Sequence, residues 1–145
     1  MPRYSASFRA SAVATAARGP SLYNIASGCS PKIVEVGVFN TTTTEFVAAL
    51  TRLTAAGTQG AGLTEAKHDA NGPAADATAF NTHTADATAS DELVRATIAA
   101  AKGAGVVWTF GAGGLVIPAG TANGIGILCP TGTGQLFDGY IVWDE

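Results

Sequence analysis

The chain has 145 residues, of which 47% are hydrophobic and only 13% are charged, and its formal net charge at pH 7 is −3. A chain of this length is expected to form one domain, residues 1–145, whose core requires no metal or disulfide. The basic residues are scattered and none follows Lys102. Nucleic-acid binding requires a basic stripe, so the composition argues against a direct nucleic-acid partner.

The sequence also argues against a membrane or secretory role. No apolar run is long enough to span a bilayer, and the N-terminus lacks the apolar core of a signal peptide. We therefore expect a protein made in the cytoplasm, with no membrane partner. One pair of cysteines, Cys29 and Cys129, defines no disulfide framework, so both are expected to be reduced and mostly buried.

The first third of the chain predicts three strands. Arg3 to Arg9 alternates between apolar and polar residues, which is typical of a half-buried strand. Leu22 to Ile25 predicts a short second strand, and Pro31 to Asn40 predicts a third with its valines in register. Because Gly19-Pro20 breaks the chain after the first segment, residues 1–18 either fold onto their own subunit or reach another as an arm. We favour the arm.

Two later segments fit a strand or a helix. Phe46, Val47 and Leu50 have helical spacing in residues 45–53, but the same stretch also alternates. Strands on either side favour a strand there. Residues 91–102 follow Ser90, a good helix cap, and precede Gly103, a good helix terminator, yet they also fit a strand.

The middle of the chain predicts a long loop region rich in Ala, Gly and Thr. Ala55 to Ala79 has no strong apolar pattern and contains the turn sequence Asp69-Ala70-Asn71-Gly72-Pro73. Long loops in compact domains are often contact loops. The pentapeptide Ala-Asp-Ala-Thr-Ala occurs at 75–79 and again at 85–89, which fits either a duplicated hairpin or chance repetition.

The last third contains four short apolar runs separated by Gly, Pro, Asn and Thr. These runs are Val106 to Phe110, Leu115 to Ile117, Gly124 to Cys129 and Leu136 to Trp143. Eight to ten short strands with frequent turns and no βαβ alternation predict an all-β, antiparallel β-sandwich with a jelly-roll-like arrangement.

No residue pattern predicts catalysis or cofactor binding. His68 and His83 have no partner at metal-ligand spacing, so we expect both to be solvated loop residues. The acidic pairs Asp91-Glu92 and Asp144-Glu145 consist of neighbours, which point to opposite faces of a strand. Gly-rich segments lack the phosphate-binding motifs. We expect no enzyme activity, no metal and no cofactor.

Aromatic residues concentrate in the C-terminal third, and they fit either core filling or a strand with one face on a partner. On the last strand Tyr140 and Val142 lie on the face opposite Phe137. We take Tyr140 and Val142, together with Tyr4 and Phe8 of the first strand, as candidate residues of a subunit or capsid interface.

Three C-terminal segments, Trp108 to Gly111, Leu115 to Gly120 and Tyr140 to Glu145, resemble small structural proteins of tailed bacteriophages. Leu22 to Asn24 and Val34 to Asn40 fit the same pattern. The resemblance implies a β-sandwich on the capsid surface of the virion, a decoration (cement) protein that binds the assembled major capsid protein. It also implies a homotrimer, and it favours a strand at residues 91–102.

Two other functions compete with this one. A tail, baseplate or head-fibre structural protein would share the sandwich but occupy another part of the particle. A carbohydrate-binding β-sandwich module would use an exposed aromatic face, which normally comes with nearby Asp, Asn and Arg side chains.

Overall fold

The computed structural model describes residues 1–14, 17–24 and 30–145. These residues form eleven β-strands and no helix. Two antiparallel sheets pack face to face, so the β-sandwich predicted from the sequence is confirmed. The strands are β1 Arg3–Val13, β2 Ser21–Asn24, β3 Lys32–Asn40, β4 Phe46–Ala55, β5 Ala66–Lys67, β6 Ala77–Phe80, β7 Thr88–Ile98, β8 Gly105–Thr109, β9 Leu115–Val116, β10 Gly124–Thr131 and β11 Thr133–Asp144.

The first four strands alternate between the two sheets. Sheet A has the order β5-β1-β11-β3-β8, with β9 also paired to β3, and sheet B has the order β6-β2-β10-β4-β7. The last two long strands, β10 and β11, lie in the middle of sheet B and sheet A respectively. The jelly-roll-like arrangement expected from the sequence stays a prediction.

The core lies between the sheets and is built from strand residues that alternate in burial. On β1 every second side chain from Tyr4 to Ala12 is buried. Tyr4 stacks against Trp143 of β11, with ring centroids 5.8 Å apart, and Phe46 of β4 meets Phe137 of β11 at 5.2 Å. The Phe46–Phe137 contact joins the two sheets, and the Tyr4–Trp143 stack joins two neighbouring strands of sheet A.

Pairing with neighbouring strands resolves both helix-or-strand ambiguities. Residues 46–53 lie in β4, between β10 and β7, and alternate residues Phe46, Ala48 and Leu50 are buried. Ser90, the candidate helix cap, lies inside β7, which ends at Ile98 before the turn at Gly103. The strand prediction is confirmed for 46–53, and for 91–102 it is confirmed as far as Ile98.

The described residues bear on two alternatives that the sequence left open. β1 pairs with β11 of the same chain from Arg3 to Val13, which favours the alternative in which these residues fold onto their own subunit. Residues 15–16 lie outside the described residues, as do Ile25 and Cys29. The repeated pentapeptide forms no hairpin, because Ala77 begins β6 and Thr88 begins β7, at opposite edges of sheet B.

A pair of leucine substitutions tests the position of the core. Leu50→Ala removes a side chain that is 0% exposed between the sheets. We expect it to lower the free energy of unfolding by about 2–5 kcal/mol, because it leaves a cavity. Leu136→Ala is the matched control, since Leu136 is 44% exposed, and its effect should stay within about 0.5 kcal/mol. Urea denaturation measures both, and similar losses from the two variants would contradict this core.

Candidate functional site

The outer faces of the two sheets differ in how far their apolar side chains are exposed. On sheet B, the outward side chains of Tyr23 and Leu53 are 0% and 2% exposed, because the loop residues Ala56 and Ala87 pack over them. On sheet A, Val107 and Leu136 remain 44% exposed each. Single exposed apolar side chains are normal on a monomer, whereas a contiguous apolar patch often marks a binding surface.

We call the outer surface of sheet A the sheet A face. The side chains of this face are assigned from the alternation along each strand and from the register between strands. They come from four adjacent strands. Its central residues are Ser5, Ser7, Phe39, Val107, Leu136, Tyr140 and Val142, and its charged residues are Arg3, Arg9, Lys32, Glu35, Asp138 and Asp144.

Two aromatic rings lie flat on this face because glycine occupies the position beside each. Tyr140 is directly opposite Gly37, where an added Cβ would come within 2.4 Å of the Tyr140 Cε1 atom. Phe39 is opposite Asp138 of β11 on one side and opposite Gly105 of β8 on the other. A Cβ added at Gly105 would lie 2.3 Å from the Phe39 ring. The two ring centroids are 6.3 Å apart, with planes inclined by 28°. They form a level apolar surface about two rings wide.

The Tyr140 hydroxyl fixes the orientation of its ring. It donates a hydrogen bond of 2.6 Å to Glu35 Oε1 on the neighbouring strand. This bond, followed by partial burial and the Glu35 charge, raises the pKa of Tyr140. The phenol therefore stays neutral at physiological pH, and the hydrogen bond fixes the orientation of its ring.

The charges on the sheet A face balance each other. Arg9 Nε and Nη2 donate to the two carboxylate oxygens of Asp138 at 2.6 and 2.7 Å. Arg3 binds Asp144 in the same bidentate manner at 2.7 and 2.9 Å. Both arginines lower the pKa of their partner carboxyl, chiefly through these hydrogen bonds.

With Lys32 and Glu35 included, the face has three cations (Arg3, Arg9, Lys32) and three anions (Glu35, Asp138, Asp144), so its net charge is zero. Exposed pairs of this kind contribute little to stability. Their consequence is a neutral surface, which suits contact with another protein better than electrostatic capture of a charged ligand.

The structure places two of the four candidate interface residues on this face. Tyr140 and Val142 are partly exposed there. Tyr4 and Phe8 are 1% and 6% exposed in the core, so they are not available to a partner. The apolar side of β1, which carries Tyr4 and Phe8, packs against Trp143 and Phe137. The polar side of the strand faces outward. The interface prediction is therefore wrong for Tyr4 and Phe8.

Sequence reasoning missed two members of the face, Phe39 and Val107. Phe39 and Val107 lie on strands other than the last one, and their proximity to Tyr140 depends on which strands pair. Gly37 and Gly105 were the available signal, because glycine inside a strand often marks a site of close approach.

A second polar cluster lies buried beneath the outer surface of sheet B. Ser21 Oγ and His83 Nε2 are 2.7 Å apart, and the two residues are 0% and 3% exposed. The His83 ring also contacts the rings of Tyr23 and Phe80, at centroid distances of 5.8 and 6.3 Å. The prediction of a solvated loop histidine is wrong for His83, whereas His68 is exposed as expected.

Burial sets the protonation of this cluster. It lowers the pKa of His83, an effect that the Ala56 backbone partly opposes. It also raises the pKa of Tyr23 to about 12. A neutral histidine and a neutral tyrosine can share an apolar environment, whereas a charged imidazole there loses hydration.

A serine–histidine pair is the arrangement that activates a nucleophile in many hydrolases. Sequence analysis found no such pair, because the two residues are far apart in the chain. Here the hydroxyl is fully buried, and no described carboxylate hydrogen-bonds the ring. A substrate cannot reach this serine, so we assign the pair a structural role, joining β2 to the segment around His83.

Other reactive groups are sparse in the part of the chain that the structure describes. Those residues contain no group of three or more potential metal ligands and no helix suited to crossing a bilayer. Cys129 is a buried free thiol, as expected, and burial raises its pKa to about 12. It is therefore protonated and unreactive at neutral pH.

Comparison of the chain with models of protein families, with characterised proteins and with solved structures finds no match. No relative supplies a function, so the surfaces of the molecule have to supply it. Of the two clusters, the sheet A face is exposed to a partner and the Ser21–His83 pair is not.

The buried histidine predicts a specific pH dependence. Because burial lowers the pKa of His83 below its usual 6.5, the unfolded chain takes up a proton more readily than the folded one. The free energy of unfolding should therefore fall as pH drops from 7 to 5, by at most about 1.4 kcal/mol per pH unit.

Urea denaturation at several pH values measures this slope. His83→Gln keeps a hydrogen-bonding partner for Ser21 but cannot titrate, and it should remove most of the slope between pH 7 and pH 5. His68→Gln, at an exposed position, is the control and should leave the slope unchanged. Equal slopes in the wild type and the His83 variant would show that His83 is not buried in neutral form.

Proposed function

We propose that this protein is a structural component of a tailed-phage virion, a capsid decoration (cement) protein. It binds the assembled lattice of the major capsid protein through the sheet A face and stabilises the head. The observation that carries the proposal is the sheet A face itself, a level, partly apolar and electrically neutral surface. The sequence resemblance to small tailed-phage structural proteins supplies the setting.

The chemistry of the face supports adhesion. Tyr140 and Phe39 present ring surfaces whose positions are fixed by Glu35 and by the glycines beneath them. Rigid aromatic side chains lose little entropy when they are buried at an interface, and they are enriched at its centre. The paired arginines at the border carry no unbalanced charge into a partner's surface.

The size of the face supports a protein that acts in many copies. Four strands about 4.8 Å apart, each contributing about 20 Å of length, give a footprint on the order of 400 Å². A standard stable interface buries about 800 Å² per partner. One such contact is therefore weak, but copies that are joined to one another and bind a repeating lattice are retained through multivalency. Self-association, expected from the resemblance as a homotrimer, belongs to this proposal.

A carbohydrate-binding module is the second candidate, and one observation favours it. The level surface of Tyr140 and Phe39 lies beside Glu35 and the Arg9–Asp138 pair. Sugar-binding sites combine a flat aromatic surface with such polar groups. We rank it second because most of the border charges are already paired with each other. The remaining candidate, a tail, baseplate or head-fibre protein, would use the same face on another part of the particle.

A charge placed in the middle of the face tests the proposed docking. Val107→Glu introduces a carboxylate at an exposed position of β8, so the fold should be retained. Binding to heads purified without this protein should weaken about tenfold or more, because the charge loses hydration in the contact. Thr97→Glu, at an exposed position on the outer side of β7 in sheet B, is the matched control and should bind like the wild type.

Cosedimentation with heads measures this binding, and the melting temperature of the heads reports stabilisation. Wild-type protein should saturate at a fixed number of copies per head and raise that temperature. Binding to isolated tails but not to heads would favour the tail alternative. Retention on a glycan array that is lost in Tyr140→Ala would favour the carbohydrate module. Equal binding of both Glu variants to heads would exclude the sheet A face as the docking surface.

A further inference from the structure

One long strand edge of the sandwich has no partner within the described chain. β5 pairs with β1 only at Tyr4 and Ser5, and the His68 N–H donates to the Arg3 carbonyl at 2.9 Å. The Arg3 backbone therefore points away from β11. Because backbone direction alternates along a strand, the N–H and C=O groups of Ser7, Arg9 and Ser11 point the same way. No described strand meets them.

The other edge strands of the two sheets, β6, β7 and β8, are protected in ways that natural sheets commonly use. The segment before β6 covers that strand, with the Leu63 N–H donating to the Ala79 carbonyl at 2.8 Å and the Asn81 N–H to the Ala61 carbonyl at 2.8 Å. β7 has three irregularities in its pairing with β4, and it carries Asp91 beside the ion pair of Glu92 and Arg95. β8 has only five residues.

β1 has none of these protective features between Ser7 and Ala12. Its pairing with β11 is regular up to Ala12. The segment contains no proline and no lysine, and its one charge, Arg9, is already paired with Asp138 at 2.6 Å. An unprotected, regular edge is a template for another strand.

A cavity beside the same edge supports this interpretation. It has a volume of about 230 Å³ and is lined by residues of β1 and by Arg18, Gly19, Asn81 and Thr82 of neighbouring segments. Ala10, Val13, Ile127, Cys129 and Leu136 contribute the apolar part of its lining. A strand added to the edge would cover part of this lining and remove it from water.

We propose that the β1 edge pairs antiparallel with the β1 edge of a second copy, around a twofold axis at Ala10. The edge is self-complementary in this register. Arg9 faces Ser11 of the second copy. The backbone N–H and C=O groups that point away from β11 in one copy therefore meet the corresponding groups of the other. Ala10, Ser11 and Ala12 are small enough for close approach. An axis at Arg9 would instead place two guanidinium groups side by side, which is unfavourable.

The pairing joins two A sheets into one continuous sheet and places two sheet A faces side by side. The inference does not depend on the proposed virion function, because it concerns the free protein. The trimer implied by the resemblance is the alternative assembly, and the mass of the free protein distinguishes it from this dimer. A contact between identical edges has twofold symmetry, so it closes at two copies.

The oligomeric state tests the pairing. Sedimentation equilibrium of the wild type at tens of micromolar should give twice the chain mass of 14.5 kDa. Ser11→Pro removes one outward N–H without touching the bonds to β11, and proline is tolerated at such edge positions. It should weaken association at least tenfold while circular dichroism still shows a folded β protein. Ser11→Ala keeps the N–H and should associate like the wild type.

A cross-linking experiment covers the case in which Ser11→Pro fails to fold. In a background with Cys29→Ala and Cys129→Ala, Ala10→Cys should form a disulfide between two copies under mild oxidation. Ala10 lies opposite itself at a non-hydrogen-bonded pair, where the two Cβ atoms are about 4.5–5.5 Å apart. Ala12→Cys is the control, because the two copies of residue 12 lie four residues apart, about 13 Å, and should not cross-link.

A monomeric or trimeric wild type, a folded Ser11→Pro variant that still dimerises, or equal cross-linking at both positions would overturn the proposal. If Val107→Glu loses head binding but still forms the dimer, docking and self-association depend on different surfaces. The two proposals therefore fail in distinguishable ways.

Discussion

The pairing of the first strand with the last is the interaction on which the rest of the structure depends. β1 and β11 match from Arg3 to Val13, and β11 in turn pairs with β3, so sheet A would divide without it. Its inner side provides the stacked rings of Tyr4 and Trp143. Contacts between the two ends of a chain form late and at a high cost in chain entropy. The buried aromatic surface offsets that cost.

The same pairing produces the outer surface of sheet A. Side chains alternate along both strands, so the burial of Tyr4 and Trp143 directs their neighbours Arg3 and Asp144 outward together. Core and surface are therefore two consequences of one register. A slip by one residue would bury the ion pairs and expose the aromatic rings. The surface that we propose for docking is thus specified as firmly as the core.

Sequence patterns predicted most strands because burial on a strand has a local signature, period two. They left residues 91–102 ambiguous because the pairing of β7 with β4 involves residues more than thirty positions away. The burial of His83 had no local signature at all, since it depends on a loop that packs against β2. Tyr4 and Phe8 were assigned to the wrong face because alternation gives two faces of a strand without saying which one is the core.

Low charge connects the sheet A face and the β1 edge. Only 13% of residues are charged and the net charge is −3, so the free protein has little electrostatic protection against association. Arg3 and Arg9 on β1 are neutralised by aspartates of the neighbouring strand, and Glu92 and Arg95 on β7 neutralise each other. This pairing leaves the sheet A face without net charge, which is the property on which the proposed contacts of the face and of the β1 edge depend.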